Sequence, residues 1–243
     1  QAWSSATDLS QMPIGIIPAM EGCDAICDPE QAEAWFRDGL RCTSLVHYGS
    51  SKYASGTGDE GDLTEDGRRM LAEFSRVGMI LDTTHLCDTS FWQAIDVFEG
   101  PILASHQNCR ALVPGQRQFD DEQIKVLIQR DGILGMAFDA WMLHPGWERG
   151  KTTREVVNID AAADHIDHIC QLAGNPQHVC IGSDLDGGFG TEQTPTGLDS
   201  IADLQKLDEI LSRRGYQEDA IRKILGENWL EFFCKHLPNE EAN

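Results

Sequence analysis

The chain alternates between short apolar runs and longer amphipathic runs along almost its whole length. The short runs are rich in Ile, Leu, Val and Met, which is typical of buried β-strands. The longer runs space their apolar residues as a helix does, and Thr64 and Gly78 cap one of them, which predicts a helix from 64 to about 77. Strands are predicted at 14–20, 40–46, 79–84, 101–105, 132–138 and 179–183, and helices at 29–38, 64–77, 88–98, 120–130, 160–172 and, two or three in number, between 199 and 236.

Near-continuous apolar strands separated by helices predict an α/β protein with a parallel sheet covered on both faces. Two architectures satisfy this pattern: an open doubly wound sheet, for which six strands suffice, and a closed TIM-like barrel, which needs eight. We interpret residues 1–243 as one domain, because the alternation continues without a linker from end to end.

Composition narrows the classes of partner. Asp and Glu number 40 against 19 Lys and Arg, a formal net charge of −21. Such a charge repels nucleic acid and anionic membrane surfaces, so we expect neither as a partner. The eight cysteines form no C-x-x-C pair and several lie in apolar stretches, so we interpret them as reduced thiols and the location as cytoplasmic. The sequence carries no signal-peptide pattern, and it begins with Gln1 and not with Met.

Candidate chemistry lies at the ends of the predicted strands. Five of the six runs are followed by a residue that can bind a metal or move a proton: Glu21, His47, His85, His106 and Asp184. The carboxyl ends of parallel strands share one face, and in a barrel they converge on one pocket. An open sheet would spread them in a row at roughly 4.8 Å per strand, too wide for one metal site. The recurrence of these residues therefore favours the barrel.

Each of these residues also has an ordinary structural interpretation. A histidine at a strand end is commonly a hydrogen-bonded loop residue, and a carboxylate there commonly caps the next helix. Imidazole and carboxylate together suit zinc or a similar divalent ion, which supplies a hydroxide nucleophile that attacks carbonyl carbons. An amide or ester hydrolase is thus the natural inference. His165 and His168 share one helix face away from the strand ends and are weaker metal candidates.

Six segments, in order, resemble the membrane (renal) dipeptidases, which are zinc metallopeptidases of the amidohydrolase-like barrel group. The similarity runs from about residue 13 to 237, and the loop HYGSSKYASGTG resembles a bacterial branch of the family. The segments are MEGCDAI (20–26), LVHYG (45–49), GMILDTTH (78–85), PILASHQNCRAL (101–112), GQRQFDDEQI (115–124) and HVCIGSDLDG (178–187).

This resemblance implies a role for each site residue. Glu21 would bridge two zinc ions, and His85 and His106 would bind the second of them. His47 would face the substrate and polarise the scissile carbonyl. Arg117 would hold the substrate's C-terminal carboxylate, a task that suits a guanidinium fork. Asp184 would take the free amino group and assist proton transfer, which makes the expected substrate a dipeptide.

One departure from the family pattern concerns the first zinc. The family begins with a strand ending in His-x-Asp, and that spacing occurs here only at 165–167, in a predicted helix. We therefore expect a chain that lacks the first two βα units and half of the metal site. Three hypotheses follow: an incomplete dipeptidase, a noncatalytic relative that keeps the fold, and an amidohydrolase-like enzyme for lactones or acylated amino acids. Exposed strand edges would lead such a chain to aggregate or to assemble with partners, a homo-oligomer included.

Overall fold

The protein is built around one parallel β-sheet in a computed structural model that describes residues 14–185 and 187–238. Six strands lie in the order β1-β2-β3-β4-β5-β6, and every neighbouring pair is parallel. The strands are β1 (Ala19–Met20), β2 (Cys42–Thr43), β3 (Ile80–Asp82), β4 (Ile102–Ala104), β5 (Ile133–Met136) and β6 (Val179–Ile181).

The strand order decides between the two predicted architectures. A doubly wound sheet reverses its order at a switch point, whereas a TIM-like barrel adds each strand beside the one before it. Here the spatial order is the sequence order, so the barrel arrangement is confirmed. Among the described strands, β1 pairs only with β2 and β6 only with β5, so these six strands do not close on themselves.

The strands are shorter than the apolar runs predicted. The run at 14–20 forms ladder pairs only at Ala19–Met20, and Ile14 and Ile16 before it are 84% and 80% exposed. The run at 40–46 pairs only at Cys42–Thr43. Strand hydrogen bonds need a neighbour in register, and an apolar run by itself does not reveal how far that neighbour extends.

A helix connects each pair of successive strands, as predicted. Thr64 accepts a hydrogen bond from the Gly67 amide, and Gly78 ends the same helix with a left-handed φ of 82°, so both predicted caps are confirmed. The helices are α1 (Ala32–Arg37), α2 (Glu65–Val77), α3 (Asp88–Val97), α4 (Asp121–Gln129), α5 (Asp160–Ala173), α6 (Lys206–Arg213), α7 (Glu218–Arg222) and α8 (Asn228–His236).

The core has two parts. The larger part packs the helices against the outside of the sheet, with Phe74, Phe91 and Phe138 fully buried. The smaller part lies near the start of five strands, where Phe232 and neighbouring aromatic residues of α8 cover it; its strand members are Cys42, Ile80, Leu103, Ile133 and Cys180. The opposite, carboxyl ends of the strands are therefore left for the site.

All eight cysteines are free, in agreement with the sequence interpretation. Cys23, Cys42, Cys87, Cys109 and Cys180 are buried, and burial raises the pKa of most of these thiols. In the described part of the chain, no helix has the length and apolar content needed to cross a bilayer.

Candidate metal centre and substrate cavity

Three of the predicted site residues meet at one point beyond the carboxyl ends of β1, β3 and β4. His85 Nε2 lies 2.9 Å from Glu21 Oε1, and His106 Nε2 lies 3.1 Å from the same oxygen. The two Nε2 atoms are 3.2 Å apart. In a flat sheet, β1 and β4 would stand roughly 14 Å apart, so only the curvature of the sheet brings their end residues together.

The three ligand atoms have the spacing that a divalent ion requires. Atoms bound to zinc at about 2.0–2.1 Å in a tetrahedron stand roughly 3.3 Å from one another. The distances between the Glu21, His85 and His106 atoms, 2.9 to 3.2 Å, are close to that value. Within residues 14–185 and 187–238, this is the only group of three acidic, His or Cys side chains placed to hold a metal.

The electrostatics of the group favour metal binding at neutral pH. Hydrogen bonds from His106 and His85 hold the pKa of Glu21 well below its ordinary range, so the carboxylate is ionised. Burial, with the charge of Arg117 as a second cause, lowers the pKa of His85 to about 3. His85 is therefore neutral, with a lone pair to offer, over the whole physiological range.

Two hydroxyl groups hold the far side of the histidine rings. Thr57 Oγ1 lies 2.8 Å from His85 Nδ1, and Ser105 Oγ lies 2.9 Å from His106 Nδ1. Both rings consequently direct Nε2 towards Glu21. Neither hydroxyl was identified from the sequence: Ser105 is adjacent to His106, which is a usable signal, whereas Thr57 lies 28 residues from His85.

His47 lies beside this group and not within it. Its Nε2 is 3.5 Å from Glu21 Oε1, and its ring packs against His85 with the ring centroids 4.4 Å apart. The His47 side chain is 48% exposed, whereas that of His85 is 3% exposed. His47 is therefore accessible to a ligand above the three-residue group.

Arg117 is a buried cation under the cavity. It is 5% exposed, and its Nη1 and Nη2 donate to Gln107 Oε1 at 2.5 Å and to the His106 carbonyl at 2.9 Å. Burial lowers its pKa, although an arginine keeps its charge in any protein environment. Both acceptors are neutral and hold the guanidinium in a fixed orientation.

A cavity of about 580 Å³ joins these groups. Asp184, which follows β6, lines this cavity. The backbone of Asp184 has a φ of 56° and that of His85 a φ of 70°, so both residues adopt the left-handed conformation. Backbone strain of this kind, about 1–3 kcal/mol per residue, concentrates at functional sites. The lining residues are Glu21, His47, Tyr48, His85, Arg117, Asp139, Trp141, Met142, Trp147, Arg149, Asp184, Gly187, Phe189 and Gln193.

Asp139 is an acidic group of the cavity that the sequence did not single out. It is 5% exposed, and its Oδ2 accepts a hydrogen bond from Gln193 Nε2 at 2.6 Å. Burial raises its pKa to about 6. Asp139 follows the predicted strand at 132–138, the one run to which no chemical residue was assigned, so its position at a strand end was a usable signal.

The two weaker histidine candidates lie in α5 and have structural partners outside that helix. His165 is buried, and its Nδ1 accepts the Cys109 amide at 3.0 Å. His168 Nε2 contacts Asp121 Oδ1 at 2.7 Å on α4. The two histidines thus join α5 to the neighbouring segments, and neither lines the cavity.

Comparison with known proteins gives one family. The sequence model described as membrane dipeptidase (peptidase family M19) matches residues 2–238. Dipeptidase tcpJ of Claviceps purpurea is 28% identical over 79% of this chain and 44% of its own length. Dipeptidase aclJ of Aspergillus oryzae is 30% identical over 79% of this chain and 44% of its own length. The chain thus spans about half the length of the curated relatives it matches.

A solved structure of a metallo peptidase has a similar fold. It is a metallo peptidase from Rhodobacter sphaeroides liganded with a phosphinate mimic of the dipeptide L-Ala-D-Ala. The two chains are 29% identical and superpose with a TM-score of 0.79, over 90% of this chain and 62% of that one.

Proposed function

Since the chain belongs to the membrane dipeptidase family, peptidase family M19, we propose that it is a metal-dependent dipeptidase that hydrolyses the peptide bond of dipeptides. One observation carries the proposal: Glu21 and His85 of the three-residue group line a cavity that also presents a buried cation and an exposed histidine. A volume of about 580 Å³ is within the range of small-molecule sites, roughly 300–1,000 Å³.

We assign Glu21, His85 and His106 as the metal ligands. These three side chains would hold a divalent ion, which when bound would activate a water molecule and polarise the scissile carbonyl. Two imidazoles and a carboxylate are a donor set that suits zinc, so zinc is our proposed ion. The ionised state of Glu21 and the neutral state of His85 are the states in which these side chains bind a metal.

We assign the remaining residues to the substrate. Arg117 binds the C-terminal carboxylate, because a fixed guanidinium matches a carboxylate with two parallel hydrogen bonds. Asp184 accepts the free amino group and assists proton transfer, and His47 donates to the oxygen of the scissile carbonyl. A site that holds both ends of a short peptide selects dipeptides over longer chains.

Three further assignments belong to this proposal. The exposed Ile14 and Ile16 beside the β1 edge support self-association, which sedimentation of the purified chain would measure. The free thiols support a reducing, cytoplasmic location. Residues 1–243 are assigned to a single barrel domain.

Hydrolysis of a substrate panel tests the function. The purified chain, loaded with Zn²⁺, is given L-Ala-L-Ala, L-Ala-D-Ala, N-acetyl-L-alanine and a γ-lactone. We expect release of free alanine from the dipeptides only. Glu21→Gln should abolish it, whereas Glu209→Gln, the same change at an exposed position of α6, should not. Hydrolysis of the lactone or the acylated amino acid alone would replace the proposal, and no hydrolysis at all would favour a noncatalytic relative.

A further inference from the structure

The Gly- and Ser-rich loop after β2 carries one residue that touches two of the site histidines. Thr57 is 7% exposed, and its hydroxyl lies 2.8 Å from Nδ1 of His85. The amide of the same residue donates to the His47 carbonyl at 3.1 Å. Thr57 is therefore the link between the histidine assigned to the metal and the one assigned to the substrate.

The loop is held in this place by close backbone contacts. A Cβ at Gly56 would lie 2.3 Å from the His47 carbonyl oxygen, so the neighbouring position accepts only glycine without a shift of backbone. Gly56 also donates to the Gly49 carbonyl at 2.7 Å, and Cys87 donates to the Ser55 carbonyl at 3.0 Å. The stretch 55–57 of the loop is thus held between the His47 segment and the segment after His85.

His85 needs such support more than His106 does. Its backbone has a φ of 70°, a conformation that a residue with a Cβ adopts only where its surroundings impose it. The hydroxyl partner of His106 is the preceding residue, Ser105, and so comes with the strand end itself. The hydroxyl partner of His85 has to be delivered by a loop that is distant in sequence.

The contact between Thr57 and His85 affects which ring nitrogen of His85 carries the proton. A histidine binds a metal through an unprotonated nitrogen, and the other nitrogen then carries the proton. His85 presents Nε2 to Glu21 and to His106, so its proton must reside on Nδ1 when Nε2 is a ligand. A hydrogen-bond acceptor at Nδ1 fixes that tautomer and the orientation of the ring.

We propose that Thr57 is a positioning residue for the metal centre: its hydroxyl accepts the Nδ1–H of His85 and keeps Nε2 directed at the metal position. This inference deepens the proposed function, because it rests on His85 being a metal ligand. It does not require that the bound metal hydrolyse a dipeptide. Thr57 itself touches neither metal nor substrate.

Metal affinity measured without substrate tests the proposal. Thr57→Val keeps the shape of the side chain and removes the hydroxyl. Loss of a hydrogen-bond partner behind a metal-binding histidine typically weakens affinity about 10–100-fold, so we expect that loss for Zn²⁺ in competition with a chromophoric chelator. The visible spectrum of the Co²⁺-loaded variant should shift as well. Thr57→Ser keeps the hydroxyl and should bind within about threefold of the wild type.

A control separates this effect from a general loss of stability. Thr43→Val makes the same change at a fully buried threonine whose hydroxyl donates to the Ser44 carbonyl at 3.0 Å, so metal affinity should stay unchanged. If valine at 57 prevents folding, ¹⁵N chemical shifts of the His85 ring in the Zn²⁺-loaded wild type test the proposal instead. A protonated Nδ1 with Nε2 on the metal supports the proposal, and a protonated Nε2 overturns it.

The possible results keep the two proposals apart. Wild-type affinity in Thr57→Val would overturn the positioning role even if the protein hydrolyses dipeptides. Weak binding in Thr57→Val with recovery in Thr57→Ser would support the role even if no dipeptide is cleaved, in which case only the proposed function fails.

Discussion

Replacing Arg117 by methionine tests the proposed recognition of the substrate carboxylate. The side chain is 5% exposed and is fixed by bonds to Gln107 and to the His106 carbonyl, so its direction is set before a ligand arrives. Methionine fills similar volume without charge. If Arg117 binds the C-terminal carboxylate, the variant should lose affinity for dipeptides and lose its preference for a free C-terminus.

The expected magnitude follows from charged hydrogen bonds, which contribute about 1.5–3 kcal/mol. At about 1.4 kcal/mol per tenfold change, kcat/KM for L-Ala-L-Ala should fall roughly 10–150-fold. Wild-type protein should lose a similar factor when the substrate is L-alanyl-L-alaninamide, which lacks the carboxylate. For Arg117→Met, the acid and the amide should be cleaved at nearly equal rates. Arg117→Lys should show an intermediate preference for the acid over the amide, because lysine keeps the positive charge but cannot form two parallel hydrogen bonds to a carboxylate.

The assay measures wild type and Arg117→Met on both the acid and the amide. A loss of activity that affects both substrates equally cancels in the ratio of the two rates. Methionine also leaves Gln107 and a carbonyl without their donor, so the thermal midpoint of each variant must be measured beside its rate. An unchanged preference for the acid over the amide in Arg117→Met would refute the assignment of Arg117 to the carboxylate. The metal assignment would stand independently of that result.

Three further predictions concern stability. Burial raises the pKa of Asp139 to about 6, so the folded state binds the carboxyl proton of Asp139 more tightly than the unfolded state does. The protonated carboxyl group therefore contributes its full stability below about pH 4. That contribution is lost as the pH rises through about 6. Asp139→Asn should remove this loss, so its urea-unfolding free energy relative to wild type should improve by up to about 3 kcal/mol between pH 4 and pH 7. Gly135→Ala should cost about 3 kcal/mol or prevent folding, because its Cβ would lie 1.9 Å from the Ser105 carbonyl oxygen; thermal denaturation measures the cost. Thr64→Ala removes the acceptor that caps α2 and should cost about 1 kcal/mol in urea unfolding.

Matched variants give these predictions their controls. Gly15→Ala adds a methyl group at an exposed position with no neighbouring atom within 4 Å, so it should be nearly neutral. Thr64→Ser keeps the capping oxygen and should retain most of the stability. Parallel stability curves for wild type and Asp139→Asn across pH would contradict the raised pKa, and a stable Gly135→Ala variant would contradict the close packing of β4 against β5.

Much of the architecture could be read from the sequence because periodicity is local. The order of strands and helices, the caps Thr64 and Gly78, and the parallel sheet follow from residues close together in the chain. Strand length was overestimated, since Ile14 and Ile16 continue an apolar run that has no described ladder partner there. Hydrogen bonding across a sheet depends on the neighbouring strand, which lies elsewhere in the sequence.

The sequence by itself determined which residues are candidates for the chemistry, because strand ends and residue types are both visible along the chain. Only the tertiary structure decided which of those residues meet: the curvature of the sheet brings Glu21 to within 3.1 Å of both His85 and His106 and leaves His47 at 3.5 Å. Only the path of a loop brings Thr57 behind His85. Contacts between segments far apart in the chain depend on packing of the whole barrel, and no local pattern encodes them.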